Sequence, residues 1–156
     1  MKAKRWQDSV AETVQVVLPN DSNPLGFILG GTVMHMIDIT GAIACHRHTN
    51  TLALTASVDS LDFIHPIKVG DLIILKSRVT CVFKTSLEVE VDVFSEAIKT
   101  GERKLTSKAY LTFVSLDDNG KPAAVPPLLI ETPEDEERCR DAQARRTDRL
   151  KRRSKN

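Results

Sequence analysis

Gly30-Gly31-Thr32-Val33-Met34-His35-Met36-Ile37-Asp38-Ile39-Thr40-Gly41-Ala42-Ile43-Ala44-Cys45-His46 is the stretch whose reading decides the fold. Val33, Met34, Met36, Ile37, Ile39, Ala42, Ile43 and Ala44 leave almost no polar face. A helix that is apolar nearly all round is a buried helix. A single buried helix in a small domain has to be enclosed, and the flanking sequence supplies strands to do it. Ser9 to Leu18 alternates β-branched residues and reads as a strand, and Pro19 to Gly26 is turn chemistry throughout. After the helix, Leu52, Leu54, Ala56 and Val58 alternate, then the phase slips to Leu61 and Phe63. A one-residue slip in a period-two pattern predicts a bulge near Asp59-Ser60. Ile73 to Phe83 gives another strand, and Leu105 to Phe113 a further one. Between them Leu87, Val89, Val91 and Val93 alternate with Glu88, Glu90 and Asp92, which predicts a strand with one wet face. Strand, helix, then four strands on short connections argue an α+β fold, an antiparallel sheet wrapped round one helix.

The whole chain has 156 residues, of which 41% are hydrophobic and 28% charged, enough for one domain with its own core. Aromatic residues are only 4% and the net charge is +1, which argues against a base-stacking surface or a uniformly basic nucleic-acid binder. The charge is sorted at the C-terminus. Residues 131–156 carry five acids from Glu131 to Glu137 and nine bases from Arg138 onward. Thr132 as N-cap, Pro133 at the first position and the acids in the first turn predict a helix there. That helix reads chiefly as a solvated element fraying into a basic tail, and secondarily as a contact for acidic partners, RNA or the phosphates of a nucleotide-like substrate, or for a neighbouring subunit. Cys45, Cys81 and Cys139 are an odd set without C-x-x-C spacing, which points to free thiols in a reducing compartment and so to the cytoplasm. No run is apolar for the roughly 20 residues of a membrane span, and none resembles a signal peptide.

Asp38 stands out as a carboxylate inside the most apolar segment. On a helix it shares a face with Gly31, His35 and Ala42, so that small residues flank the ionisable ones and leave room for a ligand. Such a carboxylate suits a base or a nucleophile, or equally a buried side chain satisfied by backbone donors. Gly30 and Gly31 open the helix, where N–H groups aim at an oxyanion; the same glycines also suit a tight turn. Asn23 before Pro24 has an amide that can orient a water or carbonyl, or close an Asx turn. Cys45 and His48 are i, i+3 but lack further ligands, so no metal site is expected. There is no G-x-S-x-G elbow and no phosphate-binding glycine loop.

Taken together, the run from Asn23-Pro24-Leu25-Gly26 to Gly30-Gly31, then Met36-Ile37-Asp38 and Gly41-Ala42-Ile43-Ala44, resembles the acyl-CoA thioesterases of the hotdog fold. Ser60-Leu61-Asp62-Phe63-Ile64-His65-Pro66-Ile67-Lys68-Val69-Gly70-Asp71 is similar to the segment that follows in that family, and Ala109 to Asp117 to its late strand. The resemblance spans residues 8–127 as a hotdog domain and leaves 128–156 as a C-terminal helix and tail. It implies a sheet of five to six strands curved round the central helix. It also implies a homodimer joined sheet edge to sheet edge, assembled as a trimer of dimers.

The activity implied is hydrolysis of acyl-CoA to free fatty acid and CoA, with CoA entering only as part of substrate and product and no other cofactor. Asp38 from one subunit would be general base or nucleophile, Asn23 from the other would hold the reacting groups, and the N–H groups at Gly30 and Gly31 would polarise the thioester carbonyl. Phe63 and Ile64 are candidates for the groove that takes the pantetheine arm. Arg103 and Lys104, with Arg78, Lys84 and Lys108, are candidates for its phosphates. Two other readings remain open. One is hydratase or dehydratase chemistry using His35 with Asp38, and the other is a non-catalytic acyl-CoA sensor.

Overall fold

The structure is a computed structural model and describes residues 1–155. Five strands, β1 (Ala11–Val16), β2 (Leu52–Phe63), β3 (Leu72–Val82), β4 (Ser86–Glu96) and β5 (Arg103–Leu116), form one antiparallel sheet in the order β1-β3-β4-β5-β2. The strand number falls at the lower end of the range expected from the sequence. Helix α1 (Gly30–Thr49) lies in the curve of the sheet, and α2 (Pro133–Ser154) crosses the opposite face.

The fit of α1 into the sheet depends on Gly41. A β-carbon there would sit 3.4 Å from Phe113 and from Val91, so the helix axis comes as close as backbone allows. Ile37, Ala44 and Cys45 then pack on Leu75, Val89, Val91, Leu111 and Phe113 in a single core. Side chains larger than Ala at Gly41 would overpack this contact, at a cost of about 1–3 kcal/mol. Asn50 ends the helix in the left-handed region at φ 55, and its N–H bonds back to His46. Lys4 covers the end by donating to the His48 carbonyl at 2.8 Å. Cys45 and His48 both turn inward. The thiol of Cys45 is pushed up to about 12 by burial, and His48 Nε2 lies 2.8 Å from the Pro126 carbonyl.

Four features differ from the sequence-based expectation. Helix α1 is not buried all round: Met34 and Ile39 are each 47% exposed in the single chain, on the face that also carries Gly31 and His35. Strand β2 is an edge strand and leaves Leu52, Leu54, Val58 and Phe63 exposed as well. A pattern of apolar residues marks which surfaces avoid water; it does not say whether the same chain covers them.

The supposedly wet face of β4 is covered. Glu88 and Glu90 are 1% and 2% exposed because α2 lies over them. The C-terminal helix is accordingly no solvated tail. Its N-cap forms as expected, with Thr132 Oγ1 accepting from the Asp135 N–H at 3.1 Å. Asp135, Arg138, Ala142, Arg145 and Arg149, spaced i, i+3, i+7, i+10 and i+14, then face the sheet. That is the seam spacing of a buried helix written mostly in charges.

Finally, Cys81 of β3 and Cys139 of α2 are joined in a disulfide across 58 residues of sequence, where free thiols were expected. Neither residue has a sequence neighbour that signals the other, and only the docking of α2 brings them together.

Candidate active site

Asp38 sits two turns into α1 and is half-buried. Its partner is Thr55 of β2, whose hydroxyl donates to Asp38 Oδ1 at 2.6 Å. The second carboxylate oxygen has no protein donor among the described residues. Thr55 thus holds one carboxylate oxygen, and the other is without a hydrogen bond. Sequence inspection missed Thr55 because two bulges interrupt β2, one between Thr55 and Ser57 and one between Val58 and Ser60. The second is the bulge expected near Asp59-Ser60; the first had no signal in the hydrophobic pattern. His35 shares the exposed face with Asp38, yet the hydrogen bond on the carboxylate comes from Thr55.

Asn23 is committed on one side only. Its Oδ1 accepts from the N–H groups of Leu25 and Phe27, at 3.0 and 3.1 Å, which is the turn-closing role. The amide NH2 makes no hydrogen bond among the described residues, so Asn23 still has donors to offer a bound oxygen. Gly30 begins α1, and Leu29 before it offers no side-chain cap. The first N–H groups of the helix, including those of Gly30 and Gly31, therefore have no side-chain acceptor and carry the positive end of the helix dipole.

Asn23, Gly30, Phe63 and Ile64 come together around one cavity of about 260 Å³, with Phe27, Val33, His65 and Ser107. The Phe63 ring lies so close over Gly30 that a β-carbon there would touch it at 3.5 Å. Asp38 is not in this cavity. It lies eight residues further along the helix, about 12 Å by the helix rise. Within one chain, then, Asp38 and the Asn23–Gly30 donors stand apart.

Of the proposed phosphate ligands, Lys104 lines a second cavity of about 350 Å³ with Lys68, Asp71 and Ser95. Phe27, His65 and Pro66 border both cavities, so the two are neighbours. Lys68 was not among the expected residues, although its place in the Pro66-to-Gly70 turn beside His65 was visible. Arg103 is instead held by Glu96 at 3.0 Å.

Two further candidates are already paired within the chain. Arg78 pairs with Asp135 at 3.2 Å and stacks on Trp6, and burial lowers its pKa from the ordinary value. Lys108 is bound to Glu90 and Asp92. Burial opposes its charge, but the two carboxylates outweigh that and raise its pKa. Lys84 stays exposed and joins neither cavity. A larger cavity of about 580 Å³, between Trp6, Arg47, Lys76 and Arg138, holds none of the candidate catalytic residues. Cys45 is unsuited as a nucleophile, because burial keeps it a neutral thiol.

The family model described as thioesterase superfamily matches residues 25–102. An uncharacterized acyl-CoA thioester hydrolase of Bacillus subtilis is 44% identical over 119 residues, 76% of this chain and 69% of the relative. The crystal structure of an apo-hexameric acyl-CoA thioesterase superposes with a TM-score of 0.92 at 39% identity, covering 97% of each chain. An acyl-CoA hydrolase from Staphylococcus aureus, solved with butyryl coenzyme A, coenzyme A and coenzyme A disulfide, has a TM-score of 0.90 at 34% identity. It covers 98% of this chain and 93% of its own.

Proposed function

The chain belongs to the thioesterase superfamily, and from that premise we propose that it is an acyl-CoA hydrolase whose carboxylate Asp38 drives attack on the thioester. The observation that carries the reading is the Thr55–Asp38 hydrogen bond at 2.6 Å on an open helix face, with the second oxygen free. The hydratase reading would want His35 on that carboxylate, where Thr55 stands.

In the proposed reaction the free oxygen of Asp38 takes a proton from water as the water oxygen bonds to the thioester carbon, or attacks that carbon itself. Negative charge then develops on the former carbonyl oxygen. The N–H groups of Gly30 and Gly31 and the amide of Asn23 are donors of the right kind to hold it. Collapse breaks the carbon–sulfur bond and releases CoA as a thiolate; in the first route the thiolate takes back the proton held by Asp38, and in the second the acyl–Asp38 anhydride left behind is opened by water to free the acid. Water is the only co-reactant, and CoA takes part as the carrier portion of the substrate.

Since Asp38 and Asn23 stand apart in one chain, we assign a complete site to two copies. The exposed apolar residues of α1 and the β2 edge, Met34, Ile39, Leu54 and Val58 among them, suit a second copy joined edge to edge. The hexameric state of the structural relative supports three such dimers. Phe63 and Ile64 would line the way in for the pantetheine arm, with Lys68 and Lys104 at its phosphate end. Arg103 would take part only by leaving Glu96. Residues 8–127 would form the catalytic unit and 128–156 its C-terminal cover. No helix among the described residues is long and apolar enough to cross a membrane. We place the activity in the cytoplasm on the character of its substrate, a water-soluble activated acyl group.

Thiol release from a panel of acyl-CoAs tests the proposal. Wild-type protein should hydrolyse at least one chain length, and Asp38→Ala should lose on the order of a hundredfold or more in kcat. Wild-type rates in Asp38→Ala would remove Asp38 from the mechanism.

A further inference from the structure

Strand β2 presents Thr55 and Ser57 to opposite faces of the sheet, although residues two apart in a regular strand share a face. Thr55 pairs with Phe113, which packs in the α1 core. Ser57 pairs with Thr112, whose β4 neighbour Glu88 lies under α2. The extra residue between them, Ala56, inverts the phase. Without that bulge the side chain reaching Asp38 could not be that of Thr55 in this register.

What holds the bulges is on the far side of the sheet. Asp59, the bulged residue of the second irregularity, is 3% exposed at its side chain. Its Oδ1 accepts from Ser57 Oγ at 2.9 Å, and its Oδ2 accepts from Thr112 Oγ1 at 3.3 Å. The remaining donor is Arg149 of α2, 9% exposed, whose Nη1 lies 2.8 Å from Oδ2. Arg152, mostly exposed, stands further off at 3.9 Å. A buried carboxylate needs such a cation, and here it also bridges both strands that flank the bulges.

We propose that Arg149 is a positioning residue for the reaction. Through Asp59 and Ser57 it fixes the bulged register of β2 that turns the Thr55 hydroxyl onto Asp38. The inference rests on the reading of Asp38 as the reacting carboxylate. It gives α2 a part in catalysis without contact with substrate.

The test combines steady-state kinetics on an acyl-CoA with nuclear magnetic resonance of the Thr55 methyl group. Arg149→Met should lower kcat on the order of tenfold to a hundredfold, with KM held within about twofold. Arg149→Lys should restore much of the loss, and Arg140→Met, an exposed change on the same helix, should cost nothing. In the double variant Arg149→Met/Thr55→Val the losses should not multiply, because both act through one hydrogen bond. The Thr55 methyl resonance should shift in Arg149→Met and stay in Arg140→Met.

That spectral readout needs no turnover, so a wild-type protein inert toward acyl-CoAs would sink the hydrolase reading while the positioning claim is still decided. If Arg149→Met does not fold, Ser57→Ala cuts the same link without stranding a charge and should show the same kcat loss and methyl shift. An unmoved Thr55 resonance, or losses that multiply in the double variant, would overturn the proposal.

Discussion

Arg145 of α2 lays its guanidinium fork on Glu88 of β4, with Nε and Nη2 each 2.8 Å from one carboxylate oxygen. The same guanidinium stacks on Tyr110 at 3.6 Å, and Thr80 donates to Glu88 Oε1 at 2.7 Å. The carboxylate, 1% exposed, is thus met on both oxygens. Two planar, charge-assisted bonds give this pair an orientation that a lysine could not reproduce.

Removing one member of such a pair strands the other. Arg145→Met should destabilise the fold by about 3–5 kcal/mol in urea titration, whereas Arg145→Met with Glu88→Leu should recover most of that loss. If the single variant unfolds at the wild-type midpoint, the α2 contacts contribute far less than their burial implies.

Asn23 offers a test of where the site is completed. Asn23→Ala and Asp38→Ala should each be nearly inactive alone. Dimers formed by refolding an equal mixture should regain about one quarter of wild-type activity, since half of them are mixed and each mixed dimer restores one of two sites. No recovery despite confirmed subunit exchange would place Asp38 and Asn23 in the same chain's site.

His48 ties stability to pH. Burial lowers its pKa below the ordinary 6.5, with the Pro126 carbonyl opposing and Lys4 assisting. The folded state therefore holds it neutral where the unfolded chain would bind a proton. Its contribution is fully present above the unfolded pKa and is lost as pH falls from there toward the folded value. The melting temperature should fall between about pH 7.5 and 5.5, and His48→Gln should flatten that slope. An equal slope in both proteins would assign the pH dependence to other groups.

The sequence made Asp38 legible for a physical reason: a lone carboxylate in a run of Val, Met, Ile and Ala is costly unless it serves something. Gly30, Gly31 and the turn at Asn23 were legible because turn chemistry is local. The bulge near Asp59 showed as a phase slip. Thr55 did not show, because the irregularity at Ala56 leaves the apolar alternation unbroken while turning side chains over. Glu88 and Glu90 were misread as wet for a related reason. Alternation reveals two faces, but what covers a face is a long-range fact, here settled by Arg138 and Arg145 from some 50 residues away. The disulfide between Cys81 and Cys139 belongs to the same class. The basic run of α2 carried the i, i+3, i+7 spacing all along, hidden because its seam is charged.

One consequence concerns where the protein can be cut. The family model ends at residue 102 and the motif resemblance near residue 127, so either limit invites a shortened gene. Such a product would keep Asp38, Thr55 and Asn23. It would also uncover Asp59, Glu88 and Glu90 as a stripe of negative charge with every arginine partner gone, and leave the Cys81 thiol unpaired. A unit that keeps these ion pairs and the disulfide has to extend at least through Arg149, well past the last recognisable motif.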